Sequence, residues 1–201
     1  MDNQVQGSEI MEHKWAMQIC KKLLKEGVIS SEQEEIYIYG FELILSFLTC
    51  TAIILIIGII LEQLINTLIF LFLFILIRRC TGGFHAKTHL QCQLYTTGFY
   101  LTVILLSIYT AVPLWSYPLL AIVGGTIILW LGPIENPNKT LTLLEKQKNK
   151  WIGFFLFELA TGFGYWVGYL QFSVNNAIFY TLILIIILMI VPKLIERRKH
   201  I

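Results

Sequence analysis

Apolar residues fall in blocks separated by short polar stretches, at about 41–60, onward to Ile77, then 95–112, 114–131, 151–170 and 177–192. A helix crossing the hydrocarbon core of a bilayer needs about 20 predominantly apolar residues. The pattern therefore predicts an all-α polytopic membrane protein with about six transmembrane or partly inserted helices. The second block is short: counted from Leu64 to Ile77 it holds 14 residues. The turn before it falls at Gly58 or at Glu62-Gln63, and periodicity does not choose between them. Pro113 and Pro118 break one pair of blocks, and residues 171–176 break another.

Ahead of the blocks, Ile10/Met11, Trp15/Ala16, Ile19/Cys20 and Leu23/Leu24 recur at a spacing of about four. That is an amphipathic helix. With Lys14, Lys21, Lys22 and Lys25 on its other side, it suits either the membrane surface or packing on the protein's own cytoplasmic side. Ser31-Glu32-Gln33-Glu34 fits a capping box, so a helix starts near residue 32 and runs into the first crossing. The first 40 residues are polar and mixed in charge, so no cleavable signal peptide is expected. No repeat or low-complexity segment stands out, and the 201 residues read as one domain: residues 1–40 as an N-terminal region, 78–92 as a central polar segment, and 132–150 as a second polar loop.

Composition agrees: 56% of residues are hydrophobic, only 14% are charged, and mean hydropathy is +0.70. A soluble domain is about a quarter charged. The net charge of +2 says little, but its distribution fixes an orientation. The loops near 58–63, 113–118 and 171–176 contain no Lys or Arg, whereas all 15 basic residues lie in the N-terminal region, the two polar segments and the C-terminal tail. The excess of Lys and Arg in cytoplasmic loops makes that face, and both termini, cytoplasmic. Four cysteines, Cys20, Cys50, Cys80 and Cys92, show no disulfide-framework spacing.

Chemistry concentrates in Arg78-Arg79-Cys80-Thr81-Gly82-Gly83-Phe84-His85-Ala86-Lys87-Thr88-His89-Leu90-Gln91-Cys92. Three readings compete. The segment can be a basic juxtamembrane loop with incidental His and Cys. Cys80, His85, His89 and Cys92 can form a four-ligand zinc site, although no CxxC pair is present. Or His85 can be the base for a Cys92 nucleophile, with the Gly pair turning the backbone so that its N–H groups face an oxyanion. On one continuous helix, residues seven apart sit about 10 Å apart, whereas a His–thiol hydrogen bond needs roughly 3–3.5 Å. A dyad therefore requires a break in the helix, with Cys92 near the start of the next one.

Arg78-Arg79, Gly83, His85, Ala86, Lys87 and Cys92, with the loop Gly132-Pro133-Ile134-Glu135-Asn136-Pro137-Asn138-Lys139, resemble the accessory gene regulator B (AgrB) family over nearly the whole chain. The resemblance implies a membrane cysteine endopeptidase of bacterial quorum sensing. His85 and Cys92 would be catalytic, and Arg78, Arg79, Gly83 and Lys87 would bind substrate or support the site; Glu135 and Asn136, by their location in the second loop alone, are candidate supporting residues that orient His85. It implies an AgrD-like propeptide as substrate, with an amphipathic N-terminal helix and an acidic tail that the enzyme removes. A Cys92 thioester would then close to a thiolactone or lactone. A homodimer embedded in membrane lipid follows from the same resemblance; no metal, cofactor or nucleic acid does. Glu158, the one carboxylate deep in a block, and the Ala160, Gly164, Gly168 series remain open, as a functional acid and as a close-packing helix face. The competing class is a small non-enzymatic membrane transporter or scaffold, which would tolerate loss of Cys92.

Overall fold

The computed structural model describes residues 2–83, 88–134 and 141–199. Its helices are α1 (Asp2–Lys25), α2 (Glu34–Ile60), α3 (Leu64–Thr81), α4 (His89–Tyr109), α5 (Ser116–Leu131), α6 (Leu143–Tyr169) and α7 (Val174–Lys199), with a 3-10 turn at Ser31–Gln33. The all-α membrane fold expected from the sequence is what the described residues show. Among the described residues, four helical stretches are long and apolar enough to cross a membrane: Ser31–Ile60, Leu64–Thr81, Leu90–Tyr109 and Val174–Leu194. α5 and α6 occupy the other two apolar blocks.

The chain forms two compact units, residues 1–56 with 86–98, and residues 57–85 with 99–201. In the first, α1 ends in a Schellman motif. Gly27, at φ +71°, and Val28 donate backwards to Leu24 and Leu23, each at 3.0 Å, which satisfies two otherwise orphaned carbonyls. Ala16 and Cys20 are fully buried, and His13 hydrogen-bonds Glu42 of α2. Trp15 and Ile19 stay exposed. One stripe of this helix thus packs on the protein, and the flank beside it carries exposed apolar side chains with the lysines. Burial pushes the Cys20 thiol up, and the neighbouring Glu34 carboxylate adds to this. The expected capping box lies one residue earlier than Ser31/Glu34. Gln33 Oε1 accepts from the Ser30 N–H at 3.3 Å, and Gln33 N–H returns to Ser30 O at 3.0 Å. Adjacent serines followed by adjacent Gln and Glu make the two registers indistinguishable by pattern.

In the second unit, the turn after α2 falls at Leu61–Gln63, where Glu62 takes φ +57°. Gly58 stays helical; a Cβ there would run into the Thr67 side chain of α3. Its missing side chain thus serves close helix approach and not the turn. α3 packs on α6 and α7, and α5 also packs on both. Phe70, Ile77, Tyr100, Ile104, Tyr117, Ile128, Phe157, Ile178, Leu182 and Met189 are the buried body of this unit. Gly164 meets Tyr117 at 2.6 Å and Ile178 at 2.9 Å from where its Cβ would stand, and Gly168 meets Leu114 and Asn175. The small-residue series is therefore a close-packing face. Glu158 lies against Gly125 of α5, beside Phe154.

Pro118 does not break a helix. It sits at the third position of α5, where its missing N–H would have no helical partner anyway. The end of α4 is tied to the start of α7 by Asn176, whose amide donates to Ser107 O at 3.1 Å and Thr110 O at 2.7 Å and accepts from Val112 N at 3.2 Å. Carbonyls at the end of α4 gain partners in this way. The stretch 132–150 is not a loop throughout. α6 begins at Leu143, and Thr142 caps it: Glu145 N donates to Thr142 Oγ1, and Glu145 Oε2 accepts from Thr142 N at 2.8 Å. This box raises the helix start into the polar, Lys-rich sequence.

Candidate active site

α3 ends in the segment that holds the candidate chemistry. Its last turn carries Arg78, half-buried with its guanidinium 5.0 Å over the Phe74 ring, and the exposed Arg79. Gly82 N–H donates to Arg78 O at 2.9 Å and closes the helix. That donor is committed to the helix end, so Gly82 N–H is not among the groups free to face an oxyanion. Gly82 then takes φ +69°, ψ −154°, and Gly83 takes φ +141°; both lie where glycine is strongly favoured.

This glycine pair is held by two neighbours. Ile134 N–H donates to Thr81 O at 2.8 Å, and Gly82 and Ile134 form an isolated parallel bridge. A Cβ on Gly83 would stand 3.0 Å from Leu188 O of α7. Gly153 of α6 lets the Thr81 and Cys80 side chains approach within 3.0 and 3.4 Å of where its Cβ would be. The start of the second loop is thus joined to the end of α3. Arg78, Arg79 and Gly83 stand on this frame; His85, Lys87, Glu135 and Asn136 lie outside the described residues.

Cys92 belongs to the other unit. The helix break that a dyad requires is present, because α3 stops at Thr81 and α4 starts at His89. Thr88 caps α4: its Oγ1 accepts from Gln91 N at 3.3 Å and its carbonyl from Cys92 N at 3.1 Å. Cys92 is therefore the fourth residue of the helix and half-buried. Negative charge in a first turn is stabilised by the positive end of the helix dipole.

Beside it sits Gln93, a residue the sequence reading passed over. It is buried, and its Nε2 reaches Glu12 Oε1 of α1 at 2.9 Å, Ser46 Oγ of α2 at 2.9 Å and Ser46 O at 3.3 Å. One turn further along both helices, the Cys50 and Thr97 side chains hydrogen-bond. The matching four-residue steps, Ser46 to Cys50 and Gln93 to Thr97, show that α2 and α4 run parallel here. The available signal was a polar residue next to the candidate nucleophile, matched by a lone Ser in the first apolar block. Among the described residues, no three His, Cys, Asp or Glu side chains gather to hold a metal ion.

A family model described as Accessory gene regulator B matches residues 16–194. No curated protein and no solved structure matches the chain.

Proposed function

We propose, from its membership of the accessory gene regulator B family, that this chain is the membrane cysteine endopeptidase that trims an AgrD-type propeptide. Membership itself gives the chain a role in the accessory gene regulator system, with an AgrD-type propeptide as partner. The observation that carries the finer reading is the placement of Cys92 in the first turn of a capped helix that begins at His89, apart from α3. Its sulfur attacks the scissile carbonyl while His85 takes the thiol proton and returns it to the leaving amine. The acidic tail leaves, and the remaining acyl group is a Cys92 thioester. A Cys thiol or Ser hydroxyl of the substrate then attacks that carbonyl, closes the ring and restores the free thiol.

Arg78, Arg79 and Lys87 supply positive charge for the acidic tail. Glu135 and Asn136 orient His85, and Gly83 allows the chain to pass close to α7. The protein works as a homodimer in lipid, as a single domain of about six crossings, with both termini and the active site on the cytoplasmic side. The parallel course of α2 and α4 supports this, because the chain between them must return. α3, with 18 residues, is about 27 Å long and close to the thickness of the hydrocarbon core. Cysteines placed at Glu62, Ser116 and Ser173 should be labelled from outside intact cells by a membrane-impermeant maleimide, and one at Lys148 should not. The reverse pattern would put the site in the wrong compartment.

The zinc reading has its own test. In purified protein, Cys80→Ser and His89→Ala should keep most of the tail-releasing activity, and chelators should leave it intact. Stoichiometric zinc that is lost with either substitution would restore the four-ligand site and remove the dyad.

A further inference from the structure

We infer that Gln93 is a positioning residue for Cys92, and that through Glu12 it makes the N-terminal helix part of the same device. The inference rests on the proposed role of Cys92 as nucleophile. Gln93 offers its amide nitrogen to three oxygens from two different helices. Reversing the amide would set its own oxygen against the Ser46 carbonyl and the Glu12 carboxylate, which are acceptors. Its orientation is therefore fixed by chemistry as well as by burial. A buried amide nitrogen is costly unless its hydrogen bonds are made, and here they are.

The placement is mechanical. Cys92 and Gln93 are consecutive, so whatever fixes the rotation of one about the helix axis fixes the other. Thr88 holds the helix end, but a cap leaves the first turn able to rotate and slide. Gln93 prevents both, because Ser46 holds it from α2 and Glu12 holds it from α1. Joining α2 to α4 does not by itself need this residue, since Cys50 and Thr97 already do so one turn away. What the cluster adds is restraint at the level of the thiol. A nucleophile misplaced by 1 Å can lose about a hundredfold in rate. α1, with Ala16 and Cys20 buried and Trp15 and Ile19 exposed, is then a support for the nucleophile as well as a surface helix. Displacing it would withdraw Glu12 from Gln93.

The test uses the full-length protein in lipid nanodiscs. Iodoacetamide alkylation of Cys92 is read by peptide mass spectrometry against Cys80 of the same molecules. Release of the tail from a synthetic AgrD-type propeptide is resolved into kcat and KM. Gln93→Ala should slow Cys92 alkylation and kcat at least tenfold, leaving KM within twofold and Cys80 reactivity unchanged; Gln91→Ala, whose exposed side chain lies one residue before the thiol, should change none of these. Glu12→Gln, which still presents an oxygen acceptor, should recover at least half of what Glu12→Ala loses. The Glu12→Ala/Gln93→Ala double variant should be no slower than Gln93→Ala alone. Wild-type rates in Gln93→Ala, a parallel change at Cys80, or multiplying effects in the double variant would each overturn the inference. Cys92→Ala, run alongside, separates the two claims. If it still releases the tail, the nucleophile reading fails, whatever Gln93 does to alkylation. If it is inactive while Gln93→Ala is normal, the positioning inference alone fails.

Discussion

Cys92→Ala is expected to abolish release of the acidic tail, by roughly 10⁴-fold or more, the scale on which loss of a catalytic nucleophile acts. In the proposed reaction the other site residues bind and orient substrate, and the acyl group passes to Cys92 alone. The loss should therefore appear in kcat, with propeptide binding retained. A thioester is a higher-energy acyl group than the amide it replaces, so the wild-type adduct should be scarce. It should accumulate when the substrate's ring-closing Cys or Ser is replaced by Ala, because its normal exit is closed. Mass spectrometry of that mixture should find enzyme plus the tail-less peptide, labile to hydroxylamine and absent in Cys92→Ala. His85→Ala should produce neither adduct nor rapid alkylation of Cys92. Tail release at the wild-type rate by Cys92→Ala would favour a transporter or scaffold, for which this thiol is dispensable.

Much of the architecture was legible because a bilayer constrains chains harshly: backbone groups in hydrocarbon must bond within their own helix, so apolar blocks mark helices. Block edges marked helix ends poorly, and the reason is visible at α4. The apolar run starts near residue 95, but the helix starts at His89. Thr88 caps it there, and the polar residues His89 to Gln93 continue the same spiral on their way to the apolar part. α6 likewise begins eight residues before Trp151 because Thr142 and Glu145 cap it. Both signals are local side-chain chemistry, invisible to hydropathy.

The candidate site was legible in its residue types and not in its supports. His85 and Cys92 stand out as a candidate base and nucleophile because such residues are rare among apolar neighbours. Ile134 at the end of α3, Gly153 under Thr81, and Ser46 and Glu12 around Gln93 could not be paired from one sequence, since Glu12 and Gln93 are 81 positions apart. The glycine pair suggests a tight turn that aims backbone N–H groups at an oxyanion. One donor closes α3 instead, because the last turn of a helix has carbonyls that must be satisfied first.

Gly82→Ala is expected to be the most damaging of the single alanine substitutions at glycine in this chain. Two costs coincide there. The backbone, at φ +69° and ψ −154°, lies in a region that is essentially glycine's own, and forcing another residue into it costs about 1–3 kcal/mol. The added Cβ would also collide with the carbonyl oxygen of Ile134. That oxygen is backbone and cannot swing aside as a flexible side chain would. Moving it pulls on the Ile134 N–H that donates to Thr81 O, and losing that bond leaves a donor and an acceptor unsatisfied, at about 1–3 kcal/mol more. A total of roughly 2–6 kcal/mol is a large share of the stability of an ordinary domain. Gly27→Ala carries only a milder backbone cost, a φ of +71° in the Schellman turn, with nothing within 4 Å of the added atom. Gly162→Ala has neither cost: it is mid-helix, with open space around it, and should be neutral or stabilising by up to about 1 kcal/mol. Thermal unfolding of the three variants in the same nanodiscs should rank Gly162→Ala above Gly27→Ala above Gly82→Ala. Where Gly82→Ala remains folded, protease cleavage within 132–142 should accelerate, since the bridge to Ile134 is what ties that loop to α3. A Gly82→Ala protein as stable as Gly162→Ala, with an unchanged cleavage rate, would mean that the α3–Ile134 junction does not exist in the membrane-embedded protein.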